Sequence, residues 1–328
     1  MTMIEAAFRV LKILEQSTSP ISGEEISEQL EISRSAVWKH VKELRDYGYE
    51  IAASRAEGYE LVASPDRLLP YEIQKHLKTS VIGRSIEYTD SVPSTIGVAK
   101  ELCRKSDPSV LHGTVVIAEE QSGGIGRLGR AWYSPRGGIW STIILRPDIP
   151  IDHVFMVTMA ASIAIARTIR KFCGSGALIK WPNDIYIGNQ KVAGVLQEIS
   201  AEAETVNYCL LSIGIDANIT QDQLPEGVKT PITSLSMACG GPVDRARFLA
   251  QLLKEFETRY REIESGEYLT ITREWKSLSI TLDKRVKIIT PRKAFEGEAI
   301  DIDEYGALIV RKDNGKIERV FSGDCSLV

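Results

Sequence analysis

The chain has 328 residues, 43% of them hydrophobic and 26% charged, which supplies enough apolar material for a sizeable core and leaves no need for staples or intrinsic disorder. Its 40 Lys/Arg stand against 44 Asp/Glu, a formal net charge of −4, so the whole molecule carries no polyelectrolyte signature. At roughly 100–200 residues per domain, two or three domains are expected. Five cysteines (Cys103, Cys173, Cys209, Cys239 and Cys325) are odd in number and form no CxxC pair. That argues against a disulfide framework and a zinc site, and favours a reducing, cytoplasmic setting. The four histidines are scattered, so no histidine metal cluster is expected. The opening segment carries early charge and no small-residue cleavage site, unlike a signal peptide. The longest apolar run, Val154 to Ala166, falls short of the ~18 residues that span a bilayer and predicts a buried core helix, with no membrane partner.

Residues 1–64 predict three short helices and a hairpin. Ile4, Ala7, Phe8, Leu11 and Leu14 recur at helical spacing. Ser22 with Glu25 forms a capping box for a second helix that buries Ile26 and Leu30. Ser33 caps a third, with Val37, Val41 and Leu44 inward and Gly48 as its stop. Tyr49–Ala53 and Tyr59–Val62 then flank a turn at Ala56-Glu57-Gly58. This is the winged helix-turn-helix pattern. The segment holds 7 basic and 11 acidic residues, yet residues 33–55 hold Arg34, Lys39, Lys42, Arg45 and Arg55 against three acids. Positive charge therefore collects on the third helix and the wing. Ser33, Arg34, Ser35, Lys39, His40 and Arg55 are the candidate contacts to operator DNA, with the helix entering a major groove. A solvated helix face or a protein-docking domain is the alternative. The acidic remainder keeps non-specific affinity low, so tight binding calls for a dimer.

Residues 65–279 alternate strands and helices, giving an α+β sheet with helices packed on it. Strands are expected at Ser85–Thr89, Thr114–Glu119, Trp140–Leu145, Leu178–Trp181, Ile185–Ile187, Lys191–Glu198 and Tyr208–Ile215. Helices are expected at Ile96–Arg104, His153–Phe172 and Arg245–Glu264. From residue 280 to 328 short strands separated by turns at Glu296-Gly297, Tyr305-Gly306 and Asn314-Gly315 predict a small β-barrel.

Two elements carry chemistry. In Gln121-Ser-Gly-Gly-Ile-Gly-Arg-Leu-Gly-Arg-Ala-Trp132, glycines permit close backbone approach while Arg127 and Arg130 place fixed charge in the same loop. That combination suits a polyphosphate or acyl-phosphate, and no Gly-Lys-Ser/Thr makes it a Walker loop. Alone, it is equally a flexible surface loop. In Lys180-Trp-Pro-Asn-Asp184, Pro182 breaks strand pairing, and the following hairpin returns Lys191 beside Asn183 and Asp184. Asp184 can hold a metal or a ribose and Lys191 can neutralise a phosphate or carboxylate; a polar turn and a surface lysine is the plain reading of either alone.

Together, Gln121–Trp132 and Lys180–Gly194 resemble the catalytic core of biotin protein ligases. Ser94-Thr95, Ile213–Asn218, Thr233-Ser-Leu235 and Ser322-Gly-Asp324 extend the resemblance over nearly the full chain. With the N-terminal winged helix, the chain is similar to the bifunctional members that ligate biotin and repress biotin genes. The resemblance implies a class II synthetase-like mixed sheet for residues 65–279 and an SH3-like barrel for 280–328. It implies that biotin and MgATP give biotinyl-5′-AMP, which a lysine of a biotin carboxyl carrier protein attacks. Lys191 and Arg127 are then catalytic. Ser94, Thr95, Gln121, Arg127 and Lys191 hold biotin, and Gly124, Gly126, Arg130, Trp132, Asn183, Asp184 and Asn218 hold the adenylate. Mg²⁺ is carried mainly by phosphates and water, with no protein cage. The stretch Ile219–Ile232, which includes Gly227, folds over the adenine as a lid. Homodimerisation on adenylate binding is implied as well. Three departures from the family pattern stand out: Ile125 and Leu128 replace loop arginines, Ile96 replaces an asparagine, and Asp216 replaces the asparagine of Gly-Ile-Asn. Competing readings are a ligase without a DNA role, a regulator with an inactive ligase core, and a lipoate or octanoate transferase of the same fold.

Overall fold

The structure, a computed structural model, describes residues 3–54, 57–174, 176–202, 205–225 and 230–328, with side chains from residue 6 onward. It divides into two compact units, Met1–Asp66 and Arg67–Val328.

The first unit contains α1 (Met3–Gln16), α2 (Gly23–Leu30), α3 (Arg34–Asp46) and the hairpin β1 (Glu50–Ser54) and β2 (Gly58–Ala63). Ala7, Val10, Leu11 and Leu14 of α1 are buried; Val10 takes the inward place expected of Phe8, which is half-buried. The side chain of Ile4 lies outside the described residues. The capping box is formed: Glu25 N donates to Ser22 Oγ at 3.1 Å, and Ser22 N to the Glu25 carboxylate at 2.9 Å. Ser33 Oγ accepts from Ala36 N at 3.2 Å, starting α3 where expected. Tyr59 and Ile21 exchange two backbone hydrogen bonds, so the α1–α2 connection pairs with the wing. Gly58 is required there, because its φ is +99° and a Cβ would sit 2.2 Å from Ile21 O.

The second unit is built on a seven-stranded mixed sheet. Its strands are β3 (Ile86–Val92), β4 (Val115–Gln121), β5 (Ile139–Leu145), β6 (Leu178–Lys180), β7 (Asp184–Ile187), β8 (Gln190–Glu202) and β9 (Thr205–Ile215). The spatial order is β3-β4-β5-β9-β8-β7-β6, with β3 parallel to β4 and the other pairs antiparallel. One face carries α5 (Thr95–Lys105), where Ile96 and Ala99 meet Val116, Ile144 and Leu210. The other face carries α6 (Met156–Cys173), α8 (Arg245–Glu264) and α9 (Tyr268–Leu278) over the main core. The apolar run of α6 is a core helix: 72% of its apolar window is buried. Two short α-helices, α4 (Pro70–Gln74) and α7 (Leu235–Cys239), belong to the same unit.

A buried ion pair, Arg245 to Glu119 at 3.0 Å with both side chains 2% exposed, ties α8 to β4. Removing one partner strands a buried charge, typically a cost of ~3–5 kcal/mol. Five strands close the chain: β10 (Lys284–Ile289), β11 (Ala294–Ile302), β12 (Leu308–Arg311), β13 (Ile317–Val320) and β14 (Asp324–Leu327). They form an antiparallel sheet in the order β13-β12-β11-β10-β14, with β13 and β14 at its edges among the described residues. Its Val286, Ile288, Ala299, Leu308 and Val310 join the main core. The turn expected at Glu296-Gly297 is instead the middle of β11, where Gly297 lets Arg311 O approach to 2.5 Å of a would-be Cβ. A second correction concerns cysteine. Cys173 and Cys239, 66 residues apart, are joined as a disulfide between the ends of α6 and α7, with Cα atoms 4.7 Å apart. Spacing along the chain concealed this pair.

Candidate functional site

The glycine/arginine loop leaves β4 and folds back on itself. Gln121 N donates to Ser134 O at 2.9 Å, Trp132 N to Gly124 O at 2.8 Å, and Gly126 N to Arg130 O at 2.7 Å. Gly124 cannot carry a side chain, since a Cβ would lie 2.4 Å from Trp132 O. The tip turns through Leu128 and Gly129, both at positive φ. Arg127 leans inward, donating to Asn183 Oδ1 at 3.1 Å and Gly323 O at 3.2 Å, while Arg130 pairs with Asp324. Burial lowers the pKa of Arg127, opposed by the nearby carboxylates of Asp184 and Asp324. Ile125 and Leu128, the departures from the arginine pattern, are 51% and 66% exposed.

The Trp-Pro-Asn-Asp run lies between β6 and β7, after a cis Trp181–Pro182 bond. Asn183 Nδ2 donates to Val195 O at 2.6 Å, which fixes the amide so that its oxygen receives Arg127. Lys191 comes back on β8 and places Nζ 2.6 Å from Asp184 Oδ1 and 4.8 Å from the Trp132 ring centre. The indole thus touches the ammonium and also rests against Gly194 and Gly214, which face each other across β8 and β9. Lys191 N donates to Pro231 O, and Thr233 N donates to Lys191 O, so the far end of the 219–232 stretch is docked beside the lysine. Residues 226–229 of that stretch, Gly227 included, lie outside the described residues. Asp216 is 7% exposed and faces Lys191; burial pushes its carboxyl up to about 7, with the lysine pulling it down.

Thr95 N and Oγ1 both donate to Gln121 Oε1, at 2.8 and 3.1 Å, and Gln121 Nε2 donates to Ser134 Oγ at 3.0 Å. A hydroxyl chain continues from Thr95 Oγ1 through Thr142 (2.8 Å) to Ser212 (2.9 Å). Ser134, Thr142 and Ser212 escape the sequence reading; the signal for Thr142 and Ser212 is a polar residue set in an otherwise apolar strand, and Ser134, in the loop before β5, carries none. Among the described residues six buried side-chain polar atoms lack a partner, and two of them, Ser94 Oγ and Trp132 Nε1, belong to the residues of these motifs. A buried donor without a partner is costly, so both fit a site completed by a ligand. Asn218, by contrast, is turned to the backbone of Val243, donating to its carbonyl at 2.9 Å and accepting from its amide at 2.8 Å. It fastens the chain just beyond β9 to the residues that lead into α8. No group of three or more His, Cys, Asp or Glu is arranged for a metal among the described residues.

In the first unit, Arg34, Ser35, Lys39 and Lys42 are exposed on α3. Ser33 Oγ and Ser35 Oγ lie 2.9 Å apart, and Arg34 pairs with Glu24 at 3.2 Å. One candidate falls away from this face. His40 is 9% exposed and turned to Glu43 at 3.4 Å, because its position falls on the inward stripe with Val37, Val41 and Leu44. Arg55 lies outside the described residues. Sequence reasoning missed Trp38, which stands 57% exposed among the cations.

Comparison with known proteins agrees with this anatomy. The HTH domain family matches residues 7–60, the biotin/lipoate A/B protein ligase family residues 88–218, and the biotin protein ligase C-terminal domain residues 281–328. The bifunctional ligase/repressor BirA of Bacillus subtilis is 39% identical over 308 residues, 94% of each chain. The BirA of Escherichia coli is 27% identical over 93% of this chain and 92% of that protein. The biotin protein ligase of Aquifex aeolicus, solved with biotin and ATP, superposes with a TM-score of 0.65 at 25% identity, covering 75% of this chain and 99% of that one. The chain belongs to the biotin protein ligase family, among the members that carry an N-terminal helix-turn-helix domain.

Proposed function

We propose that this protein condenses biotin with ATP to biotinyl-5′-AMP and passes the biotinyl group to a lysine of a biotin carboxyl carrier protein. The reaction needs no protein nucleophile. Biotin's carboxylate attacks the α-phosphate, pyrophosphate leaves, and the acceptor amine then attacks the mixed anhydride and expels AMP. The protein's work is positioning and charge stabilisation. Lys191 bridges the carboxylate and the α-phosphate, exchanging its Asp184 partner for the substrates. Arg127, braced by Asn183 and Gly323 O, holds the phosphate side, with Arg130 beside it. Thr95, Gln121 and the unpartnered Ser94 Oγ supply donors and acceptors for the ureido ring, and Trp132 covers the ligand. Asp184 would be the carboxylate available to hold Mg²⁺ once Lys191 turns to substrate, and an ion there would supply charge neutralisation for the phosphates; a partial protein ligand set suits its preference for water and phosphate. The single observation that carries this reading is the convergence of Arg127, Asn183, Asp184 and Lys191 around Trp132, whose buried Nε1 is left open. Incubation with a carrier domain, biotin and MgATP tests it. Mass spectrometry should find biotin on one lysine only when ATP is present, and absence of transfer would refute the reading.

The same chain acts as a repressor. The exposed cationic face of α3 supports operator binding, and the exposed Ile125 and Leu128 support a dimer whose formation biotinyl-AMP promotes. Carrier protein, by consuming the adenylate, relieves repression.

A further inference from the structure

Four of the five tryptophans are fully or largely enclosed: Trp140, Trp181 and Trp275 are at most 1% exposed, and Trp132 is half-buried in the ligase site. Trp38 is the exception at 57%. It is the fifth residue of α3 and shares its outward face with Ser35, Lys39 and Lys42. Lys42 Nζ lies 5.9 Å from its ring centre, one turn along the same stripe. The inward stripe of α3 is already filled by Val37, His40, Val41 and Leu44, so the indole has no role in the fold's own packing. A large apolar ring kept in water among cations needs a partner that is both anionic and apolar at its point of contact.

We propose that Trp38 is a specificity-determining residue of the DNA interface, reading the 5-methyl group of a thymine in the major groove. This rests on the repressor reading above and deepens it. Major-groove base edges carry acceptors, donors and one apolar feature, the thymine methyl. In helix-turn-helix proteins the N-terminal part of the recognition helix reaches base edges, and flanking cations meet phosphates. Trp38 is in that part, one turn inside the Ser33 cap, whereas Arg34, Lys39 and Lys42 flank it. A protein partner would match the apolar ring but not the surrounding cations. Duplex DNA matches both.

The experiment begins with a randomised duplex pool selected on the full-length chain with biotin and MgATP, giving a consensus duplex as probe. Wild type is then titrated with that duplex and with versions in which each thymine is replaced by uracil, which removes the methyl and changes no hydrogen bond. One or two replacements per half-site should weaken binding roughly tenfold, and Trp38→Ala should bind thymine and uracil duplexes alike. Lys39→Ala should instead weaken all duplexes uniformly and lower the salt dependence. Trp38→Phe should keep part of the discrimination. Melting temperature and helical circular dichroism confirm that each variant is folded. Uracil sensitivity retained in Trp38→Ala, or absent from wild type, overturns the proposal while leaving DNA binding intact. So does a Trp38→Ala variant with altered sedimentation but unchanged DNA affinity, which would make this a protein-docking face. Failure to enrich any sequence overturns the repressor reading and this inference together.

Discussion

Substituting Gly214 with alanine tests the arrangement at the centre of the site. The new Cβ would lie 2.8 Å from Trp132 Nε1 and 2.9 Å from Cε2. Non-bonded carbons settle at about 3.5–4.0 Å, so the indole must lift by roughly 0.7–1 Å from its floor. The floor itself cannot drop, because Gly214 is paired with Gly194 on β8 and with Trp140 on β5. Lifting the ring displaces it relative to Lys191, whose ammonium is 4.8 Å from the ring centre, and drags the loop that carries Arg127. Overpacking of this kind costs about 1–3 kcal/mol, and a shift of about 1 Å at a reacting centre costs on the order of 10²-fold in rate. Gly214→Ala should therefore lower both the urea midpoint and the adenylation rate. Gly194→Ala, whose nearest indole atoms are 3.0 Å away, should do the same less severely. In a Trp132→Ala background the stability loss from Gly214→Ala should largely vanish, because the clash has no second partner. Undiminished stability and rate in Gly214→Ala, or an equal loss with and without Trp132, would refute the steric reasoning.

Three further outcomes are expected. Arg127→Gly removes the bonds to Asn183 and Gly323 O and should release biotinyl-AMP early, so that mass spectrometry finds biotin on many lysines of bystander proteins; biotin confined to the carrier lysine would contradict this. Asp216 carries a proton in the native state up to about pH 7, against 3.8 for a free carboxyl, so the unfolded chain binds fewer protons between those values and stability falls as pH rises from about 4 to 8. Asp216→Asn should remove roughly 2–3 kcal/mol of that loss between pH 5 and pH 8, read from urea unfolding at the two values; an unchanged pH dependence would place the carboxyl in water. A non-hydrolysable biotinyl-AMP analogue should promote dimerisation and operator binding, whereas equal sedimentation with and without it would eliminate the corepressor role.

Much of the fold was legible because it obeys simple periodicities. Helix α8 begins and ends where the pattern of Leu249, Leu252, Leu253, Phe256, Tyr260 and Ile263 predicts. The capping box at Ser22 gave the start of α2 to the residue. The elements missed were short or irregular: α4 and α7 have five residues each, too few to show a period, and α9 mixes Thr, Arg and Lys into its stripe. Gly297 misled because a glycine in a strand, needed here for the close approach of Arg311, looks like a turn. In the site, the residues with distinctive motifs were found. Those that work through pairing across strands, such as Thr142, Ser212 and the Gly194–Gly214 floor, were not, since only register brings them together. His40 shows the converse: a polar residue inside a basic stretch whose helical phase, not its chemistry, decides that it faces inward.

The central claim is that charge held at Lys191 drives formation of an acyl-adenylate from biotin. Biotin-dependent exchange of labelled pyrophosphate into ATP, with no acceptor present, measures that step alone. Wild type should exchange label only when biotin is added. Lys191→Ala should reduce the single-turnover adenylation rate by about 10²-fold or more while biotin affinity changes far less, as expected for a contact made chiefly in the transition state. Exchange that does not depend on biotin, or an unchanged rate in Lys191→Ala, would contradict the account.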